Sequence, residues 1–166
     1  TTTTAAALLD YAEKYRFGFS SVVSVGAETD VALDEVIDCL VEDEDTQVIA
    51  VDVLALRRPR AFFSAVRAAS RIKPVLILYG PDGEGISALT AARLNAPVAE
   101  PDNFRAAVKK AGAVATDSLS DFCGALRLLA DGRLPRGPRT AVLGNGVGAA
   151  AAGAGALTQA GLALAH

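Results

Sequence analysis

The feature that most constrains the fold is an alternation of short apolar runs with longer amphipathic segments. Residues 47–53 and 75–79 are short runs rich in Val, Ile and Leu, whereas residues 31–41 and 61–72 repeat apolar side chains at helical spacing. Strands that are apolar on both faces are typical of parallel sheets, which helices cover on both sides. The pattern therefore predicts an α/β fold with a doubly wound parallel sheet.

The same patterns predict the individual elements, with Asp30 as the N-cap of the second helix and Gly112 as the C-cap of the fifth. The predicted helices are residues 5–15, 31–41, 61–72, 86–95, 103–111 and 119–130. The predicted strands are residues 20–26, 47–53, 75–79, 113–116 and 140–143.

The domain boundary is predicted from Pro and Gly. Residues 1–131 form one domain, and residues 132–138 form a linker in which Pro and Gly block helix and strand alike. Residues 139–166 open a second domain with a strand, a Gly-rich turn and an Ala-rich helix. Because the first helix begins without a preceding strand, we expect that strand upstream, and we expect the chain to be a piece of a longer protein.

Composition argues against several classes of function. The 166 residues carry a net charge of −3, which gives no general affinity for nucleic acid or anionic membranes. The apolar tail after Asn145 is too often interrupted by Gly to predict a membrane span. Cys39 and Cys123 are expected to be buried free thiols of a cytoplasmic protein. The only His is the terminal His166, so no metal site is predicted.

Several stretches, in their order and spacing, resemble the NDP-forming acyl-CoA synthetases, which include succinyl-CoA synthetase and ADP-forming acetyl-CoA synthetase. The resemblance implies a flavodoxin-like ligase domain of the succinyl-CoA synthetase type. It is carried by residues 9–20, 25–31, 73–80, 91–96, 104–112, 134–142 and 159–164.

The resemblance also implies that two catalytic groups are replaced. In the working enzymes of this family a His in this domain is phosphorylated and a Glu from an earlier strand holds the phosphohistidine. Counted without gaps from Pro74, the His position is Arg93, and the stretch at residues 52–56 that matches the family's Glu-containing stretch has Leu54 at the Glu position. Arg has no free lone pair to accept a phosphoryl group, and Leu cannot accept a hydrogen bond. We therefore predict no catalytic residue here; Arg93 is either a clamp for a phosphate or carboxylate or a solvated side chain.

Two helix N-termini point at the phosphohistidine in the family, and the resemblance places them at the two ends of this chain. Thr1, Thr2, Thr3 and Thr4 precede the first helix, where hydroxyl and N–H groups can hold an anion or simply cap the helix. The second N-terminus follows a Gly-rich turn, in which the predicted ligands are Asn145, Gly146 and Gly148.

Three hypotheses about function follow from the resemblance. The first is a non-catalytic, acyl-CoA-responsive regulatory or scaffold part of a GNAT-type protein lysine acetyltransferase. The second is the ligase domain of an active NDP-forming acyl-CoA synthetase, with the His supplied elsewhere, and the third is a structural oligomerisation module. Acyl-CoA or CoA would bind mostly through a domain outside this chain, and nucleotide binding stays open. The expected partners are CoA-binding Rossmann, ATP-grasp and GNAT domains of the same polypeptide and a second copy of the chain.

Overall fold

The computed structural model describes residues 2–26, 28–79, 100–132 and 137–165. The chain divides into two compact units, Thr1–Gly132 and Arg133–His166. Helices of the first unit are α1 Thr2–Tyr15, α2 Leu33–Glu42, α3 Pro59–Ala69, α4 Pro101–Ala111 and α5 Leu119–Ala130, and its strands are β1 Ile49–Val53, β2 Val75–Tyr79 and β3 Val114–Thr116. The second unit contains β4 Arg139–Thr140, α6 Val147–Gln159 and β5 Ala163–Leu164.

The described sheet of the first unit is parallel, as predicted, and its strand order is β1-β2-β3. Its register pairs Ile49 with Val75 at the start of β1 and Leu76 with Val114 at the start of β3. All five residues of β2 are buried, which accounts for its uninterrupted apolar sequence.

Helices cover both faces of this sheet. On one face, alternate strand residues pack against Ile37 of α2, Phe62 of α3 and Phe104 of α4. On the other face, Leu76 and Leu78 pack against α5, with Leu8 of α1 and other side chains at the margin. The prediction of a doubly wound parallel α/β fold is confirmed.

Several local predictions were wrong, and each error has a physical cause. Residues 20–26 are not a strand: they lack a hydrogen-bonded neighbour strand in the described chain and are largely exposed. The N-cap of α2 is Ala32 and not Asp30, because the Glu35 carboxylate accepts a hydrogen bond from Ala32 N at 2.9 Å and fixes the helix start there. Cys39 is exposed, whereas Cys123 is buried as expected.

The α3–β2 connection is tied to the end of α2. Lys73 Nζ donates hydrogen bonds to the carbonyl oxygens of Leu40 and Asp43, at 2.9 Å and 2.5 Å. These carbonyls belong to the last turn of α2 and its C-cap, which have no partners within the helix. Lys73, which lies just before the central strand β2, therefore caps the C-terminal end of α2.

Candidate functional site

A cavity of about 950 Å³ lies beside β1, on the side of the strand that faces away from β2. One wall is β1 itself and the other is the extended segment of residues 17–26. Side chains of α2, such as Leu33 and Val36, and of α5, such as Phe122, complete the lining.

Two of the predicted site residues line this cavity. Thr4 of α1 and Leu54, which follows β1 directly, both line it. The helix α1 begins at Thr2, so the Thr run forms its first turn and does not precede it, contrary to the prediction. Leu54 is half-buried and offers no hydrogen-bonding atom from its side chain.

Two predicted residues lie outside the described residues. They are Arg93, at the position of the family's phosphorylated His, and Thr1, the first residue of the Thr run. Their predicted roles therefore stay predictions.

The remaining predicted residues lie in the second unit, at the start of α6. Gly146 is the N-cap of this helix, and no side chain of the described residues caps it. A hollow of about 540 Å³ is lined by Asn145 and Gly146 among others, while Gly148 is not part of its lining. The preceding strand is Arg139–Thr140 and not residues 140–143, because Thr140 is the last residue that pairs with β5.

Three carboxylates line the cavity beside β1. They belong to Glu28, Asp45 and Asp52, and the described part of the lining contains no Lys or Arg. Burial, and after it the negative charge of Asp34, raises the pKa of Glu28 above its ordinary value. The positive charges of Arg58 and Arg57 act against this rise, so cations as well as carboxylates lie near Glu28.

The guanidinium of Arg58, at the N-cap of α3, is paired with two carboxylates. Arg58 Nη2 contacts Asp34 Oδ1 at 3.1 Å and Glu35 Oε1 at 3.2 Å, both in the first turn of α2. The Ala32 N–H, and after it the Arg58 guanidinium, lowers the pKa of the Glu35 carboxyl below its ordinary value. Arg58 thus joins α2 to the loop after β1, and an incoming phosphate would compete with two carboxylates for it.

The acidic lining was missed by sequence reasoning. Asp45 belongs to the acidic run at residues 42–45, which has the composition of a solvated turn. Asp52 is predicted only as a polar residue at the end of a strand. Glu28 lies in the Gly-containing stretch at residues 25–31, which contributed to the family resemblance but predicted no site residue. No local pattern links the three, because only the fold places them around one cavity.

Two negative findings concern the described residues. None of them belongs to a group of three or more His, Cys, Asp or Glu side chains that could hold a metal ion. No helix within the described ranges is long and apolar enough to cross a membrane.

Comparison with known proteins decides the family. Residues 2–129 match the family described as succinyl-CoA ligase like flavodoxin domain. The chain belongs to this family. The matched range covers the sheet, its helices and the cavity beside β1, and it ends within α5.

Two relatives are named as a CoA synthase and as a subunit of a CoA ligase. The chain is 31% identical over 127 residues to a trans-feruloyl-CoA synthase from an unknown prokaryotic organism, covering 76% of this chain and 18% of that protein. It is 24% identical over 153 residues to the alpha subunit of ADP-forming acetate–CoA ligase II of Pyrococcus furiosus, covering 92% of this chain and 33% of that subunit. The chain thus spans about a fifth to a third of the length of these relatives.

A solved structure shares the fold closely. It is the dinucleotide-forming acetyl-coenzyme A synthetase 1 of Ca. Korarchaeum cryptofilum, in complex with phosphate and ADP. The TM-score is 0.85 at 25% identity, and the match covers 96% of this chain and 35% of that one.

Proposed function

We propose that this chain is the succinyl-CoA-ligase-like domain of a protein built as an NDP-forming acyl-CoA synthetase. The family match over residues 2–129 carries the proposal, and relatives named as acetate–CoA ligases and an acyl-CoA synthase support it. In such a protein the CoA-binding Rossmann and ATP-grasp parts would lie outside this chain, and the location would be cytoplasmic. If His166, the only His of this chain, does not carry the phosphoryl group, the carrier lies in another segment or another chain.

A second candidate is a non-catalytic, acyl-CoA-responsive regulatory or scaffold domain, as in a GNAT-type protein lysine acetyltransferase. Two observations favour it. No His occurs between residues 1 and 165. In addition, Leu54 gives the cavity an apolar side chain at the position where the resemblance expects Glu.

One experiment separates the two candidates. The full-length protein is incubated with ATP, CoA and a panel of short carboxylic acids, and acyl-CoA and nucleoside diphosphate are measured. In parallel it is incubated with acetyl-CoA and a lysine-bearing acyl-CoA synthetase, and lysine acetylation is measured. Acyl-CoA formation supports the synthetase, and acetylated lysine without acyl-CoA supports the regulatory domain. If neither product forms, both candidates are contradicted and a structural module remains.

Phosphorylation of the chain itself gives an independent control. The wild-type protein and His166→Ala are incubated with γ-labelled ATP and the ATP-grasp partner, and acid-labile label is counted. If this chain carries the phosphoryl group on imidazole, only His166→Ala loses the label. Equal labelling of both proteins places the carrier elsewhere, since a neutral imidazole nitrogen is the required nucleophile.

A further inference from the structure

We propose that the outer face of helices α2 and α3 is a weak, charge-driven interface between two copies of this chain. In this interface the acidic helix α2 of each copy lies on the basic helix α3 of the other. The inference does not depend on the proposed function, because it rests only on the charges of these two helices and on their positions relative to each other.

Helix α2 carries only negative charge. Its charged residues are Asp34, Glu35, Asp38 and Glu42, and it contains no Lys or Arg. Its buried residue is Ile37, and at about 100° per residue Glu35 and Glu42 lie on the opposite side of the helix. Glu35, Asp38 and Glu42 are exposed. Asp38 and Glu42 form no ion pair with any residue that the structure describes.

Helix α3 carries only positive charge. It contains Arg60 and Arg67 and no Asp or Glu, and Arg71 follows shortly after its end. Arg60 and Arg67 are two turns apart, so they lie on one side of the helix, opposite the buried Phe62 and Val66. All three Arg residues are exposed. Within the described part of the chain, none of them has an ion-pair partner.

Two contacts show that α2 and α3 lie side by side and run in the same direction. At their first turns, Arg58 Nη2 lies 3.1 Å from Asp34 Oδ1 and 3.2 Å from Glu35 Oε1. At their other ends, Lys73, which follows α3, donates to Leu40 O in the last turn of α2 at 2.9 Å. Each residue of α3 is therefore level with the α2 residue about 24 positions earlier, since both helices rise equally per residue.

This arrangement is self-complementary about a twofold axis that runs parallel to the two helices. Such an axis lays α2 of one copy on α3 of the other, and it keeps the position of every residue along the helix direction. The register of the contact therefore follows from the single chain. A twofold axis across the helices would instead lay α2 on α2 and α3 on α3, where like charges repel.

In the register set by the parallel axis, opposite charges meet. Arg60 is level with about residue 36, so Glu35 and Asp38 of one copy lie on either side of the partner's Arg60. Arg67 is level with about residue 43, so Glu42 lies within about 1.5 Å of the partner's Arg67 along the helix direction. The twofold axis forms each of these contacts twice.

A second copy fits this face better than a nucleic acid does. The whole chain carries a net charge of −3, and the carboxylates of α2 would repel phosphates that approach the neighbouring α3. Exposed ion pairs are individually weak and are screened by salt. We therefore expect a dimer that forms at low ionic strength and dissociates as salt is added.

Charge reversal tests the contact in the full-length protein. Sedimentation velocity over a concentration series measures self-association, which should be at least about tenfold weaker at about 500 mM salt than at about 50 mM. At low salt, Arg60→Glu with Arg67→Glu should weaken self-association at least about tenfold, because α3 then repels α2. Asp38→Lys with Glu42→Lys should have the same effect from the other side of the contact.

The four substitutions combined in one chain are the decisive variant. They exchange the signs of the two helices and leave the net charge at −3, so self-association should return to within about threefold of the wild type. An equimolar mixture of the two double variants should also associate, because every contact between unlike chains is attractive. As a matched control, Lys109→Glu with Lys110→Glu reverses two exposed charges on α4, outside the interface, and should change nothing.

Several results would overturn the proposal. They are a wild type that stays monomeric at low salt, a double variant of α2 or α3 that associates like the wild type, and a combined variant that stays dissociated. An equal loss in the α4 control would overturn it as well, because net charge alone would then explain the effect. Restored association of the combined variant also shows that the substituted chains fold.

Cys39 provides a second readout, since it is exposed in the single chain and lies between Asp38 and Glu42 on α2. Its alkylation rate is followed by mass spectrometry of the peptide that contains it. At a concentration at which the wild type is dimeric, alkylation should be at least about threefold slower than in the variant with Arg60→Glu and Arg67→Glu. Equal rates would show that this face stays open in the dimer and would refute the proposal.

Discussion

Replacement of Gly112 by Ala should destabilise the protein through two separable effects. Gly112 ends α4 with φ +87° and donates from N to Lys109 O at 3.1 Å. An L-residue in the left-handed region costs about 1–2 kcal/mol. A Cβ at this position would also lie 3.3 Å from the Cβ of Ser70, at the end of α3. Crowding of this kind in a packed interface adds about 1 kcal/mol or more. The expected loss of unfolding free energy is therefore about 2–3 kcal/mol.

Gly132 is the matched control, because it ends α5 in the same backbone conformation without the contact. Its φ is +66°, and no atom of the described residues lies within 4 Å of a Cβ built there. Gly132→Ala should therefore cost only the conformational part, about 1–2 kcal/mol. Urea denaturation at constant m-value measures both variants.

A double-mutant cycle isolates the contact. Ser70→Gly removes the atom that a new Cβ at position 112 would meet, so it should recover about 1 kcal/mol when combined with Gly112→Ala. Ser70 Oγ is buried without a hydrogen-bond partner among the described residues, so its loss sacrifices no known bond. Equal costs for the Gly112 and Gly132 variants, or additive effects in the cycle, would refute the reasoning.

Three further predictions concern other interactions. Lys73→Met removes both hydrogen bonds to the end of α2 and should lower the unfolding free energy by about 1–3 kcal/mol in urea titrations, while an unchanged midpoint would contradict the capping role. Phe122→Ala removes a side chain that is 1% exposed and should lower the unfolding free energy by about 3–5 kcal/mol in the same titrations. A loss below about 1 kcal/mol would mean that α5 is not packed as described. Since the folded pKa of Glu35 is lowered, its stabilising contribution is complete above the unfolded pKa of about 4.3 and is lost as the pH falls through the folded pKa. Glu35→Gln should therefore show a smaller fall in urea midpoint between about pH 6 and about pH 3 than the wild type, and equal falls would contradict the assignment.

The sequence predicted best those elements whose signals are local. Residues 75–79 and 119–130 match β2 and α5 at both ends, because an apolar run bounded by Pro74 and an N-cap at Ser118 fix them. Ser118 Oγ accepts a hydrogen bond from Asp121 N at 3.0 Å. The start of α4 lies at Pro101 and not at residue 103, because the Glu100 carboxylate caps it and Pro fits the first turn.

Residues 20–26 show what local pattern cannot supply. The valines have the β propensity of a strand, and the Gly that follows is a typical strand end. A strand, however, also needs a neighbouring strand to hydrogen-bond with, and the presence of that neighbour is a property of the tertiary structure. The same reasoning applies to α2, where the choice between Asp30 and Ala32 as N-cap depended on the position of the Glu35 side chain.

The candidate site was predictable only in part. The resemblance indicated Thr4 and Leu54, and the structure places both at one cavity. It did not indicate the carboxylates of Glu28, Asp45 and Asp52, which come from three separate loops and strand ends. A resemblance transfers positions that a family shares, whereas the electrostatics of the cavity depend on side chains that only the fold brings together.

The sequential order of β1, β2 and β3 also bears on how the chain folds. The pairs Ile49–Val75 and Leu76–Val114 are separated by 26 and 38 residues along the chain. Loop-closure entropy disfavours the longer connection by only about 0.3 kcal/mol, too little to set an order of events. The number of pairs formed differs more, with five registered pairs between β1 and β2 and three between β2 and β3. We therefore expect the β1–α3–β2 unit to form first during folding and β3 to dock onto it afterwards.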